Sequence, residues 1–347
     1  MKIGIVTVYN GYNFGAYMQA YALSEYLTTQ GHDVSFVKHH ARNPYLNMVK
    51  NVATQTLSLK FADNSYCIKS YKGLKKARKN LKYTSLKDAE NLDLVIYGSD
   101  EIWNIKRKRN YKAPLFFGEL INKPRKISYA PSLNGAEEKD FAPFPNFVEK
   151  MQAFEGLSTR DEQSREVLEK VLKREVEIVV DPTMLLPVEN YRKIEKEVSF
   201  GGKYILIYSY GKNFSETIIE GIKSFASNNG LKLVSVCCPL KWCDISIGLS
   251  PFEVLYAFDK AEYVIADTFH GLMFSMIFKK SFAIPSITSS KLKESVDLYG
   301  HYDRVLSEGK TFDDIFGTPM DYDRIDSVIN SVRQRSTEFL NKAGEEK

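Results

Sequence analysis

The residues with the clearest chemical potential follow a short β-branched run in the C-terminal half of the chain. Asp267, Thr268 and His270 come directly after Tyr263-Val264-Ile265, and Gly271 opens an apolar helical stretch. Such a run is typical of a buried parallel strand, and in open α/β sheets ligands bind where these strands end and helices begin. Free amides at a helix start also favour a bound anion. The pattern therefore indicates an anion site that contains a histidine.

The same stretch also has a purely structural interpretation. The side chain of Asp267 or Thr268 could cap the following helix by accepting a hydrogen bond from a backbone amide, and His270 would then pack in the core. On the local pattern alone, this second interpretation is the better supported of the two.

Alternating strands and helices place this motif in a repeated α/β architecture. The first set begins with a strand at residues 3–8, a glycine-containing loop and a helix at residues 17–30. The second begins with a strand at residues 204–208 and includes the strand before His270. Strands that alternate with helices predict parallel sheets. We therefore expect an α/β fold with two Rossmann-like domains that face each other across a cleft.

The length of 347 residues agrees with more than one domain. We expect residues 1–186 to form the N-terminal domain and residues 187–318 to form the C-terminal domain. The amphipathic pattern within residues 319–347 predicts a closing helix that packs back on the N-terminal domain. The first glycine loop lacks the G-x-G-x-x-G pattern and the chain has no P-loop motif, so standard dinucleotide and P-loop sites are not expected.

Composition restricts the functional classes. The net charge of +5 is mild for this length and is no general sign of nucleic-acid binding. Cys67, Cys237, Cys238 and Cys243 match no zinc spacing, so we expect free thiols and no metal. The sequence has neither a signal-peptide pattern nor a window apolar enough to span a membrane. We therefore expect a cytoplasmic protein whose membrane contact, if any, is peripheral at the inner face.

Two basic clusters lie in less regular parts of the N-terminal half. Seven basic residues fall between Lys69 and Lys82. The second cluster consists of Lys106, Arg107, Lys108, Arg109 and Lys112. Solvated surface is one interpretation, and an electropositive rim that meets an anionic membrane or a diphosphate-linked substrate is the other. No nucleic-acid-binding module accompanies the charge, so no nucleic-acid partner is expected.

Five short motifs occur in order along most of the chain. They are Asn13-Phe14-Gly15-Ala16 with Gln19-Ala20, Gly98-Ser99-Asp100-Glu101-Ile102-Trp103-Asn104, Ser158-Thr159-Arg160-Asp161, Asp181-Pro182-Thr183 and Asp267-Thr268-Phe269-His270-Gly271. Together, over residues 3–310, they resemble the polysaccharide pyruvyl transferase family. Glu101 stands where that family more often has Gln, and Thr268 where it more often has Ser. Residues 39–90 match poorly, so the identity of the acceptor does not follow from the resemblance.

The resemblance implies transfer of the pyruvyl group of phosphoenolpyruvate to two hydroxyls of a glycan sugar. The product would be a pyruvate ketal, with release of phosphate, in the synthesis of capsule, exopolysaccharide or another cell-surface polysaccharide. The resemblance also implies the two-domain glycosyltransferase-B architecture, and no cofactor besides phosphoenolpyruvate as donor substrate. The alternatives are a glycosyltransferase of this architecture that uses a nucleotide sugar, and a non-catalytic sugar-binding protein.

The resemblance further implies a phosphoenolpyruvate site. The arginine of the family's Ser-x-Arg-Asp motif and its strand-end histidine correspond to Arg160 and His270, which Gly271 follows. A basic residue some way beyond the histidine corresponds to Lys291, with Lys293 as the rival. An arginine can hold a carboxylate or phosphate through two hydrogen bonds, and a lysine supplies a point charge.

The implied reaction needs a proton donor for the methylene carbon and a proton acceptor for the sugar hydroxyls. His270 can donate the proton or stabilise the departing phosphate, and the sequence does not separate these roles. Asp267 or Asp100 can accept a proton, and the sequence does not rank them. Asp161 is expected to cap a helix or to brace Arg160.

The motifs of the N-terminal half predict acceptor contacts from loops at strand ends. Trp103 and Trp242 are candidates to stack on a sugar ring, although core packing is better supported for Trp103. The predicted acceptor contacts are Asn13, Phe14, Gly15, Ser99, Asp100 and Trp103. The sequence leaves open which sugar and which hydroxyl pair react, and whether the saccharide is carried on a lipid diphosphate.

Overall fold

The computed structural model describes residues 1–9, 11, 13–39, 61–107, 114–211, 213–287 and 289–345, except for the side chains of residues 61–64. These residues form two compact units. The first unit contains the described residues up to 39, residues 78–186 and those from 328 onward. The second unit contains residues 61–77 and 187–327.

Strands and helices alternate along most of the chain, as the sequence predicts. The strands are β1 (Lys2–Val6), β2 (Asp33–Val37), β3 (Tyr83–Thr84), β4 (Leu94–Tyr97), β5 (Arg125–Ser128), β6 (Ser158–Thr159), β7 (Glu177–Ile178), β8 (Tyr204–Tyr208), β9 (Lys232–Ser235), β10 (Ile245–Ser246), β11 (Tyr263–Ala266) and β12 (Ser281–Ala283). The helices are α1 (Phe14–Thr29), α2 (Phe61–Ala77), α3 (Leu86–Ala89), α4 (Glu138–Phe141), α5 (Pro145–Gln152), α6 (Glu162–Leu172), α7 (Val188–Arg192), α8 (Glu216–Asn228), α9 (Pro251–Asp259), α10 (Phe269–Ile277), α11 (Ser290–Tyr299), α12 (Phe312–Gly317) and α13 (Tyr322–Gly344).

The first unit contains a parallel sheet with the strand order β3-β2-β1-β4-β5. Every residue of β4 is buried, and uniformly apolar strands of this kind occur where both faces of a parallel sheet are covered. A bridge between Ile127 and Gly156 continues the sheet toward β6, which pairs in parallel with β7.

The second unit repeats this arrangement with five parallel strands in the order β10-β9-β8-β11-β12. In both sheets the chain starts at a central strand, builds outward on one side, and then crosses to the other side of that strand. The topological switch points therefore lie where β1 pairs with β4 and where β8 pairs with β11. At such points the loops after neighbouring strands diverge, and ligands bind there in open α/β sheets.

Local sequence signals explain where three helices of the second unit begin. The side chains of Ser215, Ser250 and Ser289 accept hydrogen bonds from backbone amides in the first turns of α8, α9 and α11. At α9, the side chain of Glu253 bonds back to the amide of Ser250, and Pro251 takes the first helical position. Because each helix follows a parallel strand, all three begin at the carboxyl edge of the sheet.

Helix α2 packs in the second unit, although its place in the chain lies within residues 1–186, which the sequence assigns to the N-terminal domain. The hydroxyl of Tyr66 donates to the carbonyl of Val236, 2.5 Å away and just after β9. A Cβ atom added at Gly73 would lie 2.6 Å from the Cα of Ser250, so the glycine lets α2 approach the start of α9 closely. These contacts, which no local pattern reveals, correct the assignment of this segment.

The C-terminal helix α13 packs on the first unit from residue 328 onward. The hydroxyl of Ser336 accepts a hydrogen bond of 2.8 Å from the amide of Val180. The side chain of Arg333 donates to the carbonyl of Met184 over 2.6 Å. Val180 lies between strand β7 and the short helical turn Pro182–Met184, and Met184 ends that turn. Helix α13 therefore holds the segment that follows β7 in place.

We predict that Gly73→Ala destabilises the second unit by about 1–3 kcal/mol, because the added methyl group overlaps Ser250 and forces α2 away from α9. The urea midpoint followed by circular dichroism measures this effect. Gly317→Ala is the matched control, since nothing lies within 4 Å of its added Cβ. An equal midpoint for the two variants would contradict the close docking of α2.

Candidate active site

A hydrogen bond between two side chains spans the switch point of the second sheet. Asn213 follows β8 and Asp267 follows β11, and the amide of Asn213 donates to Asp267 Oδ2 over 2.9 Å. Asp267 is buried. A buried carboxylate needs hydrogen-bond donors, and Asn213 supplies one without neutralising the negative charge.

His270 lies in the first turn of α10, which begins at Phe269 and therefore starts earlier than the sequence predicts. Thr268 is the capping residue, and its hydroxyl accepts a hydrogen bond of 3.1 Å from the amide of Gly271. The imidazole of His270 packs edge-on against Phe269 with the ring centres 5.2 Å apart, and the residue is 9% exposed. The structural interpretation is thus correct for the cap, and Asp267 is left to its bond with Asn213.

Gly271 has a packing role that accounts for the glycine. A Cβ atom there would lie 2.8 Å from the Cβ of Ala266 and 2.9 Å from a ring carbon of Tyr208. Any side chain would therefore push α10 away from β11 and β8. Since the Gly271 amide already bonds to Thr268, its contribution to the site is close approach of the helix rather than a free donor.

The two candidates for the basic residue beyond His270 differ in exposure and in their partners. Both belong to α11, which follows β12, the strand next to β11. Lys293 is exposed and forms an ion pair of 2.9 Å with Asp297 one turn later. Lys291 is half-buried in the first turn of α11, and this helix packs against α10. Of the two lysines, Lys291 is thus the more buried, and Lys293 is engaged by Asp297.

Cys237, which follows β9 at this edge, is a neutral thiol. All four cysteines are free, which confirms the prediction from their spacing. Burial, together with the nearby Cys238 and Asp267, raises the pKa of the Cys237 thiol well above its ordinary value. Among the residues that the structure describes, no group of three or more His, Cys, Asp and Glu side chains is arranged to hold a metal ion.

The switch point of the first sheet is also crossed by a hydrogen bond. Thr7 follows β1, and its hydroxyl donates to the carbonyl of Ser99, after β4, over 2.9 Å. The amide of Gln19 in α1 in turn donates to the Thr7 hydroxyl over 3.1 Å. Gly98 has a φ of 131°, and a Cβ there would lie 2.0 Å from the carbonyl oxygen of Tyr129, so only glycine fits this turn.

Arg160 lies at the same edge with its side chain 1% exposed. Its guanidinium is 2.5 Å from Asp181 and 3.6 Å from Asp100, and it donates to the hydroxyl of Ser99 over 3.2 Å. Burial alone would lower the pKa of Arg160, but the carboxylates of Asp181, Asp100 and Asp161 hold it above its ordinary value. The surroundings of this guanidinium are thus net negative, which favours a bracing role over the capture of an anion.

Structural contacts account for the remaining candidate residues of the first unit. Asn13 caps α1 by accepting from the amide of Gly15 over 2.8 Å, and the helix begins at Phe14 rather than at residue 17. Phe14 and Gly15 are buried within its first turn. Asp161 caps α6 through the amide of Ser164, in agreement with one of the two roles expected for it.

Trp103 packs in the core, which confirms the better supported of its two interpretations and corrects its place among the predicted acceptor contacts. Its side chain is 0% exposed, and its indole N–H donates to the carbonyl of Phe116 over 2.8 Å. The ring also packs against Phe154, with centres 6.0 Å apart. Trp242 is half-buried against Phe214. A fully buried ring has no face left for a ligand, so Trp103 cannot contact an acceptor.

Three residues at these edges were not singled out from the sequence. Asn213 is the partner of Asp267, and Tyr210, 51% exposed, stands on the turn just after β8. His39 follows β2, and its Nε2 donates to the carbonyl of Thr7 over 3.0 Å. The strand-end rule that singled out His270 applies equally to His39 and Tyr210, and it would have found both.

The sequence model of the polysaccharide pyruvyl transferase family matches residues 13–284, a span that contains all five motifs. The chain belongs to this family. Membership supports a transferase that acts in polysaccharide biosynthesis. No curated protein matches the chain closely enough to count as a relative.

Solved structures resemble the chain in fold. The UDP-GlcNAc 2-epimerase from Methanocaldococcus jannaschii has a TM-score of 0.53 and 14% identity, over 95% of this chain and 92% of that one. The UDP-GlcNAc 2-epimerase from Neisseria meningitidis bound to UDP-GlcNAc has the same score and identity, over 99% and 100%. An alpha-glucosyltransferase in complex with UDP-glucose and DNA has a TM-score of 0.50 and 10% identity, over 98% and 95%. These likenesses confirm the α/β fold with two Rossmann-like domains of glycosyltransferase-B type.

The predicted site residues fall into two groups. Asp267, His270, Gly271 and Lys291 share the carboxyl edge of the second sheet. The other group, at the carboxyl edge of the first sheet, consists of Asn13, Phe14, Gly15, Ser99, Asp100 and Arg160.

In the part of the chain that the structure describes, no helix is long and apolar enough to cross a membrane.

We predict that Arg160→Ala destabilises the first unit by about 3–5 kcal/mol, because it leaves the buried Asp181 carboxylate without its countercharge. Urea unfolding followed by Trp103 fluorescence in a Trp242→Phe background reports on this unit. Combining Arg160→Met with Asp181→Leu should recover most of the loss, since the buried charge pair is then gone.

The control is Arg165→Ala, which removes an exposed ion pair with Glu162 and should cost no more than about 1 kcal/mol. A cost for Arg160→Ala as small as that of this control would mean that the guanidinium does not brace Asp181.

Proposed function

We propose that this protein transfers the pyruvyl group of phosphoenolpyruvate to two hydroxyls of a glycan sugar, forming a ketal and releasing phosphate. The observation that carries the proposal is His270 in the first turn of α10, at the switch point of the second sheet, in a chain of the polysaccharide pyruvyl transferase family. Phosphoenolpyruvate is a cytoplasmic metabolite, so we assign the reaction to the cytoplasm.

Positive groups at this edge suit the donor substrate. Phosphoenolpyruvate carries a carboxylate and a phosphate, and α10 and α11 both begin at the carboxyl edge of the sheet. The amides of a helix start and its dipole favour an anion. His270 and Lys291 add one imidazole and one ammonium group in the first turns of these helices. We assign donor binding to these two residues. Because Arg160 is already paired with Asp181, we assign it the role of bracing the loop after β4.

The proposed reaction has two additions. A sugar hydroxyl oxygen bonds to the central carbon of phosphoenolpyruvate and gives its proton to a carboxylate, while the methylene carbon takes a proton from His270. The bond between that central carbon and the phosphate oxygen then breaks, phosphate leaves with the electron pair, and an oxocarbenium-like state remains. The second hydroxyl oxygen bonds to the same carbon and gives its proton to the now neutral His270, which closes the ketal; the proton on the carboxylate passes to the released phosphate.

Asp267 is the better candidate for the proton acceptor. The amide of Asn213 donates one hydrogen bond to its carboxylate, and the rival Asp100 lies 3.6 Å from the guanidinium of Arg160. A nearby positive charge favours the ionised form of a carboxylate and so weakens it as a base. Asp267 also shares its sheet edge with His270, and Asn213 would hold its carboxylate in one orientation.

Tyr210 is the candidate platform for the acceptor sugar. The turn that carries it is held by a hydrogen bond of 2.9 Å from the amide of Gly211 to the hydroxyl of Ser209. Gly211 has a φ of 75° and packs so closely that a Cβ there would lie 2.6 Å from Leu240. A half-exposed aromatic ring on a well-held turn at a ligand edge is suited to stack on the apolar face of a pyranose.

We predict that His270→Asn lowers phosphate release from phosphoenolpyruvate by about 10²–10⁴-fold, because a general acid contributes about that much. The assay offers galactosides, glucosides and N-acetylmannosamine derivatives as acceptors. His32→Asn is the matched control and should retain activity, since His32 lies in the turn between α1 and β2. Thermal shift with phosphoenolpyruvate against UDP-sugars tests the donor independently. Stabilisation by UDP-sugars alone would overturn the proposal in favour of a nucleotide-sugar enzyme.

We predict that Tyr210→Ala raises the KM for the saccharide acceptor by about 3- to 10-fold, as expected for the loss of one stacking contact. The KM for phosphoenolpyruvate should stay unchanged, and Tyr210→Phe should retain most of the acceptor affinity because the ring remains. An increase only in the KM for phosphoenolpyruvate would show that Tyr210 does not serve the acceptor.

A further inference from the structure

We propose that one face of α2 binds the surface of an anionic lipid bilayer. This lysine face consists of the exposed side chains of Lys69, Lys72, Lys75 and Lys76. None of the five sequence motifs lies in helix α2. The proposal does not depend on the transferase chemistry.

The packing of α2 turns all four lysines outward. The helix buries Tyr66, Leu74 and Ala77 against the second unit. With 3.6 residues per turn, positions 69, 72 and 76 follow one another along the opposite side, and position 75 lies beside them. The charges thus form one row on the surface.

The described residues of the protein do not neutralise the lysine face. In the described ranges, no ion pair or hydrogen bond involves the ammonium groups of these four lysines. Other exposed lysines behave differently, since Lys139 pairs with Glu137 and Lys203 pairs with Glu262. Residues 61–82 contain a single acidic residue, Asp63, against seven basic ones. The face therefore presents a concentrated positive charge to an external partner.

The second basic cluster does not share this property where the structure describes it. Lys106 pairs with Asp140 at 3.4 Å, and Arg107 pairs with Glu101 at 2.6 Å. Lys108, Arg109 and Lys112 lie outside the described residues. Among the described residues of the two clusters, uncompensated charge is therefore found in the first.

The composition of the lysine face favours a lipid surface over other polyanions. Its charges are all lysines, which act as point charges toward a diffuse anionic layer, whereas arginine is preferred for forked contacts to individual phosphates. Ile68, 38% exposed, is the large apolar residue among them, so adhesion would be electrostatic with little insertion.

The position of α2 gives this contact a consequence for the candidate site. The Tyr66 hydroxyl bonds to the carbonyl of Val236, just after β9, at the sheet edge that also carries Asp267 and His270. A bilayer bound at the lysine face would therefore lie near the unit that holds the proposed donor site. For a glycan carried on a membrane lipid, this would bring the acceptor to the enzyme, a consequence that rests on the proposed function.

Sedimentation with lipid vesicles tests the proposal. Vesicles of phosphatidylcholine with one third phosphatidylglycerol should bind the full chain, pure phosphatidylcholine should not, and about 1 M salt should release the protein. Replacing Lys69, Lys72, Lys75 and Lys76 together by Gln should weaken binding at least about tenfold. Replacing the same four by Arg should preserve it, which shows that charge and not fold is responsible.

The matched control replaces Lys106, Lys139, Lys203 and Lys279 by Gln. Each of these lysines is already ion-paired, and both quadruple variants lower the formal net charge of +5 by four. The control should bind vesicles like the wild type. Equal loss in both variants would mean that only net charge matters and would overturn the proposal. Tighter binding to duplex DNA or RNA than to the vesicles at the same salt would also overturn it, with a nucleic acid as the partner.

Discussion

A hydrogen bond across the switch point of each sheet is the feature on which the two candidate edges depend. At these points the loops after neighbouring strands diverge, so their polar groups lose the partners that a regular sheet provides. In the second unit Asn213 and Asp267 bond to each other across the gap, and in the first unit the Thr7 hydroxyl bonds to the Ser99 carbonyl. Each bond satisfies buried polar groups and fixes two loops together, which leaves the helix starts beside them open to a ligand.

The two edges differ in charge, and this difference separates their roles. The first edge contains a guanidinium enclosed by carboxylates, with Asp181 at 2.5 Å from Arg160. Burying a charge costs several kcal/mol unless it is paired, so this arginine is committed to its own structure. The second edge has His270 and Lys291 in the first turns of two adjacent helices. The proposed function therefore assigns the anionic donor to the second edge.

Helix α2 contains none of the five sequence motifs, and it packs in the unit that holds the proposed donor site. Its inner side is fixed by Tyr66 and by the glycine at position 73, and its outer side carries uncompensated lysines. A segment with a fixed inner side and a free outer side can vary in its outer residues without disturbing the fold. Such a segment is a suitable place for a protein to adapt to the membrane or the carrier that presents its substrate, while the catalytic edge stays the same.

The sequence alone determined the order of strands and helices, the two Rossmann-like sheets, the family and the strand-end position of His270, because these depend on short-range periodicity and on motifs. It also indicated free thiols and a helix cap at Asp161. It favoured core packing for Trp103, but it could not determine which residues surround that ring, that Arg160 pairs with Asp181, or that α2 joins the second unit. Those features depend on contacts between residues far apart in the chain, and only the tertiary structure decides whether a charged or aromatic side chain meets a partner inside the protein or remains available to a ligand.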